Sequence, residues 1–174
     1  MWVKGVIAML VGYLLGSLPA GLFWGWIFRQ IDVRRHGTGR TGGTNVWRTV
    51  GFIPAVMTAL SDGLKGALAV WLAQVLGIGV WGAALSGTFA VVGHNYSCFL
   101  GFRGGAGTAT SVGAAAVLWG PAFPLLLLLG VVVGLLVGHA SVASISVAVA
   151  LPVIFGLLRM PEPVWGFGLP VMLL

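Results

Sequence analysis

The hydrophobic and polar positions of this chain form long apolar segments that are separated by two short polar segments. Continuous apolar runs are typical of transmembrane helices, whereas strands of a membrane barrel alternate apolar and polar positions. The pattern predicts these membrane helices, several of them short: Trp2–Phe28, Phe52–Leu76, Val80–His94, Ser111–Trp119, Ala122–Val137, Ser141–Leu158 and one that starts at Val164. We therefore expect an all-α integral membrane protein with about seven transmembrane helices. Residues 1–174 would form a single polytopic membrane domain.

The first and last apolar segments carry additional signals. Pro19 interrupts the first segment and predicts a kink there. Gly12 and Gly16 stand one helical turn apart, which allows another helix to pack closely. The last segment runs only from Val164 to Leu174, whereas about 20 residues are needed to span a bilayer. The expectation is that the last helix is truncated.

The composition supports a membrane protein and narrows its partners. Of the 174 residues, 59% are hydrophobic and 7% are charged, whereas a soluble domain has roughly 25% charged residues. The net charge of +6 would favour nucleic acid in a soluble protein. Here the basic residues lie mostly at predicted membrane boundaries, so we expect no nucleic acid and favour anionic lipid or a phosphorylated substrate.

The first polar segment, called the first loop below, runs from Val33 to Gly51. It contains four of the nine basic residues and no acidic residue. Four of its five glycines alternate with short hydroxyl and amide side chains, which come from Thr38, Thr41, Thr44 and Asn45. Arginines, hydroxyls and accessible backbone amides together are typical of a phosphate site. The alternative is a loop that only fixes the membrane orientation, but such a loop has no need of the glycines.

The second polar segment, called the second loop below, runs from Asn95 to Thr110. Its centre reads Arg103-Gly104-Gly105-Ala106-Gly107-Thr108. This pattern predicts a nest of backbone amides that opens a helix at about Thr108, where an anion is favoured. The alternative is a re-entrant turn in which glycine only permits close packing. Because the turns between the basic segments are uncharged, both loops are predicted on the cytoplasmic face.

Three polar residues lie within or at the end of predicted membrane helices. Asp62 and Lys65 are three positions apart and share one helix face. They form either an ion pair that supports the loops, or a pair in which Asp62 orients Lys65 toward a ligand phosphate. His94 closes the third segment, where a structural role is more common than a catalytic one. No cluster of Cys, His and carboxylates has metal-ligand spacing, so we expect no metal and no cofactor.

Three motifs taken together resemble one known family. They read G-T-G-R-T-G-G-T-N-V-W-R-T-V-G, D-G-L-K-G and G-H-N-Y-S-C-F-L-G-F-R-G-G-A-G-T-A-T, in this order. The chain is similar over nearly its whole length to the bacterial acyl-phosphate-dependent glycerol-3-phosphate acyltransferases, the PlsY family. The resemblance implies a multi-pass enzyme of the bacterial inner membrane with seven spans, cytoplasmic substrate loops and no metal. It implies nothing about the oligomeric state.

The resemblance also implies the reaction and its residues. A fatty acyl group would pass from acyl phosphate to the 1-hydroxyl of glycerol 3-phosphate, giving lysophosphatidate in the first step of phospholipid synthesis. Thr38 would supply the catalytic hydroxyl. Asp62, His94 and Arg40 would support the site. The substrate-binding positions would be Thr44, Asn45, Arg48, Lys65, Arg103, Gly104, Gly105, Gly107 and Thr108.

Three positions of the loops differ from the family pattern, which has G-S-G-N where this chain has Gly37-Thr38-Gly39-Arg40. Thr38 replaces a serine, which keeps the hydroxyl and adds a methyl group. Ala106 replaces the lysine of G-G-K-G, and Arg40 can restore that charge only if the two loops meet. The third family motif, a cytoplasmic His-and-Asn segment after the last span, is not among the 174 residues. A non-catalytic relative that binds lipid phosphate or a partner therefore stays open, as does a small-solute transporter.

Overall fold

The computed structural model describes residues 2–158 and Phe167, and this part of the chain is helical without strands. Two short 3₁₀ helices, Val33–Arg35 and Cys98–Leu100, lie in the loops. The all-α prediction is confirmed. The α-helices are α1 (Trp2–Ser17), α2 (Ala20–Arg29), α3 (Gly43–Thr49), α4 (Phe52–Val75), α5 (Gly79–Asn95), α6 (Thr108–Leu118), α7 (Ala122–Val137) and α8 (Ala140–Leu157).

Three stretches of the described chain are long and apolar enough to cross a membrane. They are Val3–Arg29, Phe52–Val75 and Ala140–Leu157, while α6 and α7 are shorter apolar helices. These bounds match the predicted segments closely. The segment predicted to start at Val164 lies outside the described residues apart from Phe167. The count of about seven spans therefore stays a prediction.

The first membrane-spanning segment is broken at Leu18 and Pro19. Helix α1 ends at Ser17 and α2 starts at Ala20. Proline has no amide hydrogen, and its ring disfavours the helical conformation of the residue before it. The Leu18 carbonyl accepts hydrogen bonds from the Ala20 amide at 3.1 Å and from Lys65 Nζ at 3.0 Å. The kink predicted at Pro19 is present as a break between two helices, and the break is bonded to α4.

The helices pack closely where their facing residues are small. Gly12 and Gly16 of α1 lie against the backbone of Ser86 and Ala90 in α5, where a Cβ atom on either glycine would collide with a carbonyl. This confirms the predicted close packing of the two-glycine stripe. Helix α4 packs against both α5 and α6, and α7 pairs with α8.

The outer surface of the helices is strongly apolar. Leu135 and Leu136 of α7 are each 81% exposed, and Leu157 of α8 is 79% exposed. A soluble protein does not leave such continuous apolar surface in water, so these faces contact lipid. Behind them, α4, α6, α7 and α8 surround a cavity that the two loops also line. The fold thus brings the loops and the membrane helices together around one space.

Candidate functional site

The cavity between the loops and the helices has a volume of about 2170 Å³. Ordinary ligand pockets have volumes of roughly 300–1,000 Å³, so this space can hold a ligand with a long substituent. Arginines line the loop part, whereas apolar side chains line the helix part. Representative residues of the two parts are Arg40, Arg48 and Arg103, and Leu64, Leu127 and Val131, respectively. The cavity is therefore suited to a molecule with an anionic head and an apolar tail.

The side chain of Asn45 organises the first loop. Its Nδ2 group donates to the carbonyls of Val33, His36 and Arg40 at 2.9, 3.1 and 2.8 Å. Its Oδ1 atom accepts from the Thr38 amide at 2.8 Å. Asn45 is only 2% exposed. Both amide hydrogens are thus engaged by the loop, so Asn45 holds the first loop together, although it also lines the cavity. The substrate contact that the resemblance implies for Asn45 stays a prediction.

The short helix α3 presents two of the predicted substrate-binding residues to the cavity. Thr44 and Arg48 are exposed, four positions apart, and both line the cavity. Val46 and Val50 are buried on the other side and anchor α3 to the protein. This helix was not predicted, although the four-residue spacing of the two valines was a signal of it. Arg48 therefore lies in the last turn of α3, ahead of the second membrane span.

The two loops meet. A Cβ atom placed on Gly42 in the first loop would lie 3.9 Å from the Cα atom of Gly105 in the second. Thr38, Arg40 and Ala106 are all exposed and all line the same cavity. The geometric condition under which Arg40 can replace the missing lysine at position 106 is therefore fulfilled. The Thr38 hydroxyl makes only a long contact of 3.5 Å with the Arg40 amide, so it is available to a ligand.

The second loop opens helix α6 at Thr108, where the sequence predicts a helix start. Gly107 precedes it with a φ of +73°, a left-handed conformation that favours glycine. The Gly105 amide donates to the His94 carbonyl at 3.1 Å. Cβ atoms on Gly104 and Gly105 would collide with the carbonyl and the Nε2 atom of His94, respectively. The glycines thus permit close packing on His94, which realises one predicted alternative without excluding anion binding.

Asp62, Lys65 and His94 form a buried cluster below the loops. Asp62 Oδ1 lies 2.9 Å from Lys65 Nζ and 3.4 Å from His94 Nδ1. Lys65 also donates to the carbonyl of Leu18 and lines a separate, smaller cavity of about 310 Å³ near Pro19. Asp62 and His94 line the large cavity, whereas Lys65 does not. The structure therefore shows the predicted ion pair and places Lys65 at the smaller cavity, away from the cavity that the two loops line.

Charge on the loop surface comes from four arginines that form no ion pair within the described residues: Arg35, Arg40, Arg48 and Arg103. Arg34 differs, since its Nη2 atom lies 2.7 Å from Asp32 Oδ2. The hydrogen bond from Arg34 holds the pKa of the Asp32 carboxyl below its ordinary value and raises the pKa of the Arg34 guanidinium. The positive charge of the four arginines without an ion pair favours an anion.

Within the described part of the chain, no group of three His, Cys, Asp or Glu residues could hold a metal ion.

Comparison with known sequences identifies the family to which the chain is similar. The sequence matches the family described as glycerol-3-phosphate acyltransferase over residues 6–174. The glycerol-3-phosphate acyltransferase of Synechococcus sp. (strain JA-2-3B'a(2-13)) is 44% identical over 170 residues, which are 94% of this chain and 82% of that protein. The protein of the same name from Thermus thermophilus is 40% identical over 166 residues, covering 92% of this chain and 79% of that protein.

Solved structures agree with the sequence comparison. A crystal structure of PlsY, an integral membrane glycerol 3-phosphate acyltransferase, in its glycerol 3-phosphate form matches with a TM-score of 0.86 and 28% identity. The match covers 97% of this chain and 84% of that one. The lysophosphatidic acid form matches with a TM-score of 0.85 and 26% identity. The fold and the comparisons define a helical integral membrane acyltransferase. The chain belongs to the glycerol-3-phosphate acyltransferase family.

Proposed function

We propose that this protein transfers a fatty acyl group from acyl phosphate to the 1-hydroxyl of glycerol 3-phosphate and so forms lysophosphatidate. The observation that carries the proposal is the single cavity with an arginine-rich loop part and an apolar helix part. Both substrates contain a phosphate, and the donor and the product contain an acyl chain. The two PlsY forms with glycerol 3-phosphate and lysophosphatidic acid support the acceptor and the product. Support for acyl phosphate as the donor comes from the loop motifs.

The reaction needs positioning and charge neutralisation more than it needs a strong base. The 1-hydroxyl oxygen bonds to the acyl carbon, the bond from that carbon to the phosphate oxygen breaks, and the hydroxyl proton goes to the departing phosphate. Acyl phosphate is already activated, so holding the two substrates together supplies most of the rate. Arginines and backbone amides stabilise the charge that develops on the phosphate. The net positive charge of the loops serves this purpose.

The first loop supplies side chains to the two phosphates. Arg48 is the principal cation because its guanidinium can bind a phosphate through two parallel hydrogen bonds. Arg40 supplies the positive charge that a lysine provides in the family at the position of Ala106. The Thr38 hydroxyl donates a hydrogen bond to the reacting substrate and acts as the catalytic group, and Thr44 adds a second hydroxyl from α3. Asn45 holds these groups in place.

The second loop supplies mainly backbone donors. Gly104, Gly105, Gly107 and Thr108 lead into α6, where backbone amides and the helix dipole favour an anion. The Gly105 amide is already bonded to the His94 carbonyl, so the donors to the anion come from the neighbouring residues. Arg103 adds an exposed guanidinium next to them. The acyl chain occupies the apolar part of the cavity along α7 and α8. Asp62 and His94 support this loop from below.

We further propose that this is a multi-pass protein of a bacterial plasma membrane and that both loops face the cytoplasm. The clustering of basic residues on the loops supports this topology. Cysteines at two exposed loop positions, in Thr44→Cys and Ala106→Cys proteins with Cys98→Ser, would report the side. A charged maleimide should label both in inside-out vesicles and neither in right-side-out vesicles. Labelling of either position from outside would contradict the topology.

Product formation by the purified protein tests the enzymatic proposal. The assay measures lysophosphatidate made from acyl phosphate and glycerol 3-phosphate in proteoliposomes. Arg48→Ala should reduce the catalytic efficiency at least about a hundredfold, the loss expected for about 3 kcal/mol of charge-assisted hydrogen bonding. Arg29→Ala is the matched control, since Arg29 is also exposed but ends α2 outside the cavity. Glycerol 3-phosphate binding without any product would instead support the non-catalytic alternative.

A further inference from the structure

A chain of three side chains connects the break in the first membrane segment with the second loop. Lys65 Nζ donates to the Leu18 carbonyl at 3.0 Å and lies 2.9 Å from Asp62 Oδ1. The same carboxylate oxygen lies 3.4 Å from Nδ1 of His94. On its far side, the His94 ring lies against the backbone of Gly105. The contacts therefore run without interruption from α1 through α4 and α5 to the loop.

The two ring nitrogens of His94 both face protein groups. Nδ1 points to Asp62, and Nε2 occupies the space that a Cβ atom of Gly105 would need. The residue is only 6% exposed although it lines the cavity. A general base needs a ring nitrogen within hydrogen-bond reach of the substrate proton. The contacts of both ring nitrogens with protein groups favour a ring that supports the loop.

We propose that His94 is a positioning residue that fixes the backbone of Gly104 and Gly105, and that Asp62 and Lys65 hold its ring in place. The proposal rests on the proposed function, in which this backbone binds a substrate phosphate. Three glycines within four positions would otherwise leave the loop with high conformational freedom. Backbone donors contribute to catalysis only when they are fixed before the charge develops. The buried cluster provides this rigidity.

His94→Ala tests the proposal most directly, because it removes the ring and leaves the Asp62–Lys65 ion pair intact. We expect the KM for the substrate whose phosphate binds the second loop to rise about tenfold, which corresponds to about 1.4 kcal/mol. The kcat should change less than about threefold, because no reacting group is lost. His94→Phe restores the ring volume but not the contact with Asp62, so its KM should lie between those of the unsubstituted protein and His94→Ala. Asp62→Asn should raise the same KM.

Ser61→Ala is the matched control for loss of a hydrogen bond in α4. Ser61 precedes Asp62 and accepts a hydrogen bond from Trp24 Nε1 at 3.0 Å, but it lines only the smaller cavity. Its replacement should leave both KM values unchanged. A merely structural role of His94 would reduce the amount of folded enzyme and thus the maximal rate. It would not change KM, which does not depend on enzyme concentration.

Amide hydrogen exchange gives a readout that does not depend on activity. The Gly105 amide keeps its hydrogen bond to the backbone carbonyl of residue 94 in His94→Ala, but the loop loses the ring on which it packs. The peptide covering residues 103–108 should therefore exchange about tenfold faster in His94→Ala and at the original rate in Ser61→Ala. Unchanged exchange and unchanged KM in His94→Ala would overturn the proposal. A lost kcat with an unchanged KM would also overturn it, by making His94 catalytic. If the unsubstituted protein forms no product, the proposed function fails, while the exchange rates still decide the role of His94.

Discussion

Asn45→Ala removes the side chain that holds the first loop together. The amide offers two hydrogens, shared among the carbonyls of Val33, His36 and Arg40, and one acceptor for the Thr38 amide. These amount to three effective hydrogen bonds, each contributing about 0.5–1.5 kcal/mol. We therefore expect the substitution to lower the free energy of unfolding by about 2–4 kcal/mol. The loss should be large because Asn45 is almost completely buried.

Two further variants isolate the donor role of Asn45. Asn45→Asp has the same shape and keeps the acceptor for the Thr38 amide, but it places an oxygen against three carbonyl oxygens. It should destabilise the protein at least as much as alanine does. Thr49→Val is the matched control in α3, since it removes one hydroxyl that donates to the Asn45 carbonyl at 2.8 Å. That change should cost no more than about 1.5 kcal/mol.

Unfolding of the purified variants in one detergent would give the order of stability. The expected order, from most to least stable, is the unsubstituted protein, Thr49→Val, Asn45→Ala and Asn45→Asp. If Asn45→Asp is as stable as Thr49→Val, the amide hydrogens do not hold the loop and the reasoning is wrong. If Asn45→Ala keeps its stability but loses glycerol 3-phosphate binding, Asn45 contacts the substrate directly.

The other predictions concern charges. Arg48→Lys keeps the charge but loses the paired hydrogen bonds, so its KM for glycerol 3-phosphate should rise about tenfold in the acyl transfer assay; an unchanged KM would remove Arg48 as the principal ligand. Arg40→Ala should reduce acyl transfer and Ala106→Lys should restore it in the double variant; no restoration would show that the two positions do not share a role. Asp32→Asn should cost less than about 1 kcal/mol because the Asp32–Arg34 pair is partly exposed. Since the folded pKa of Asp32 is lowered from 3.8, the stabilisation should be present at neutral pH and disappear as the pH falls below that value; a difference that persists there would contradict this cause.

Local signals in the sequence were sufficient for most of the fold. Long apolar runs predicted the membrane helices, Pro19 predicted an irregularity in the first of them, and the glycines before Thr108 predicted the start of α6. Each of these features depends on residues close together in the chain. Helix α3 was missed because its seven residues begin with glycine and lack a side-chain cap, so the segment reads as a loop.

The arrangement of the site was less predictable because it depends on contacts between distant residues. The pairing of Asp62 with Lys65 follows from helical spacing, but the direction of Lys65 toward Leu18 requires the packing of α4 on α1. The contact of Asp62 with His94 likewise joins α4 and α5. The scaffold role of Asn45 depends on how the first loop folds back over α3, which composition and spacing do not specify.

The bond between Lys65 and the Leu18 carbonyl makes two distant parts of the sequence depend on each other. Because the helix is broken at Leu18 and Pro19, the Leu18 carbonyl lacks the hydrogen bond that an unbroken helix would give it from the amide four residues further on, and hydrocarbon offers no water to replace it. Here a lysine 47 positions away supplies that partner. A straight helix, as Pro19→Ala would favour, would take the carbonyl into its own hydrogen-bond ladder and leave part of the ammonium unsatisfied. Replacements at positions 19 and 65 should therefore be tolerated together more readily than either alone, so the two sites would vary as a pair among related proteins.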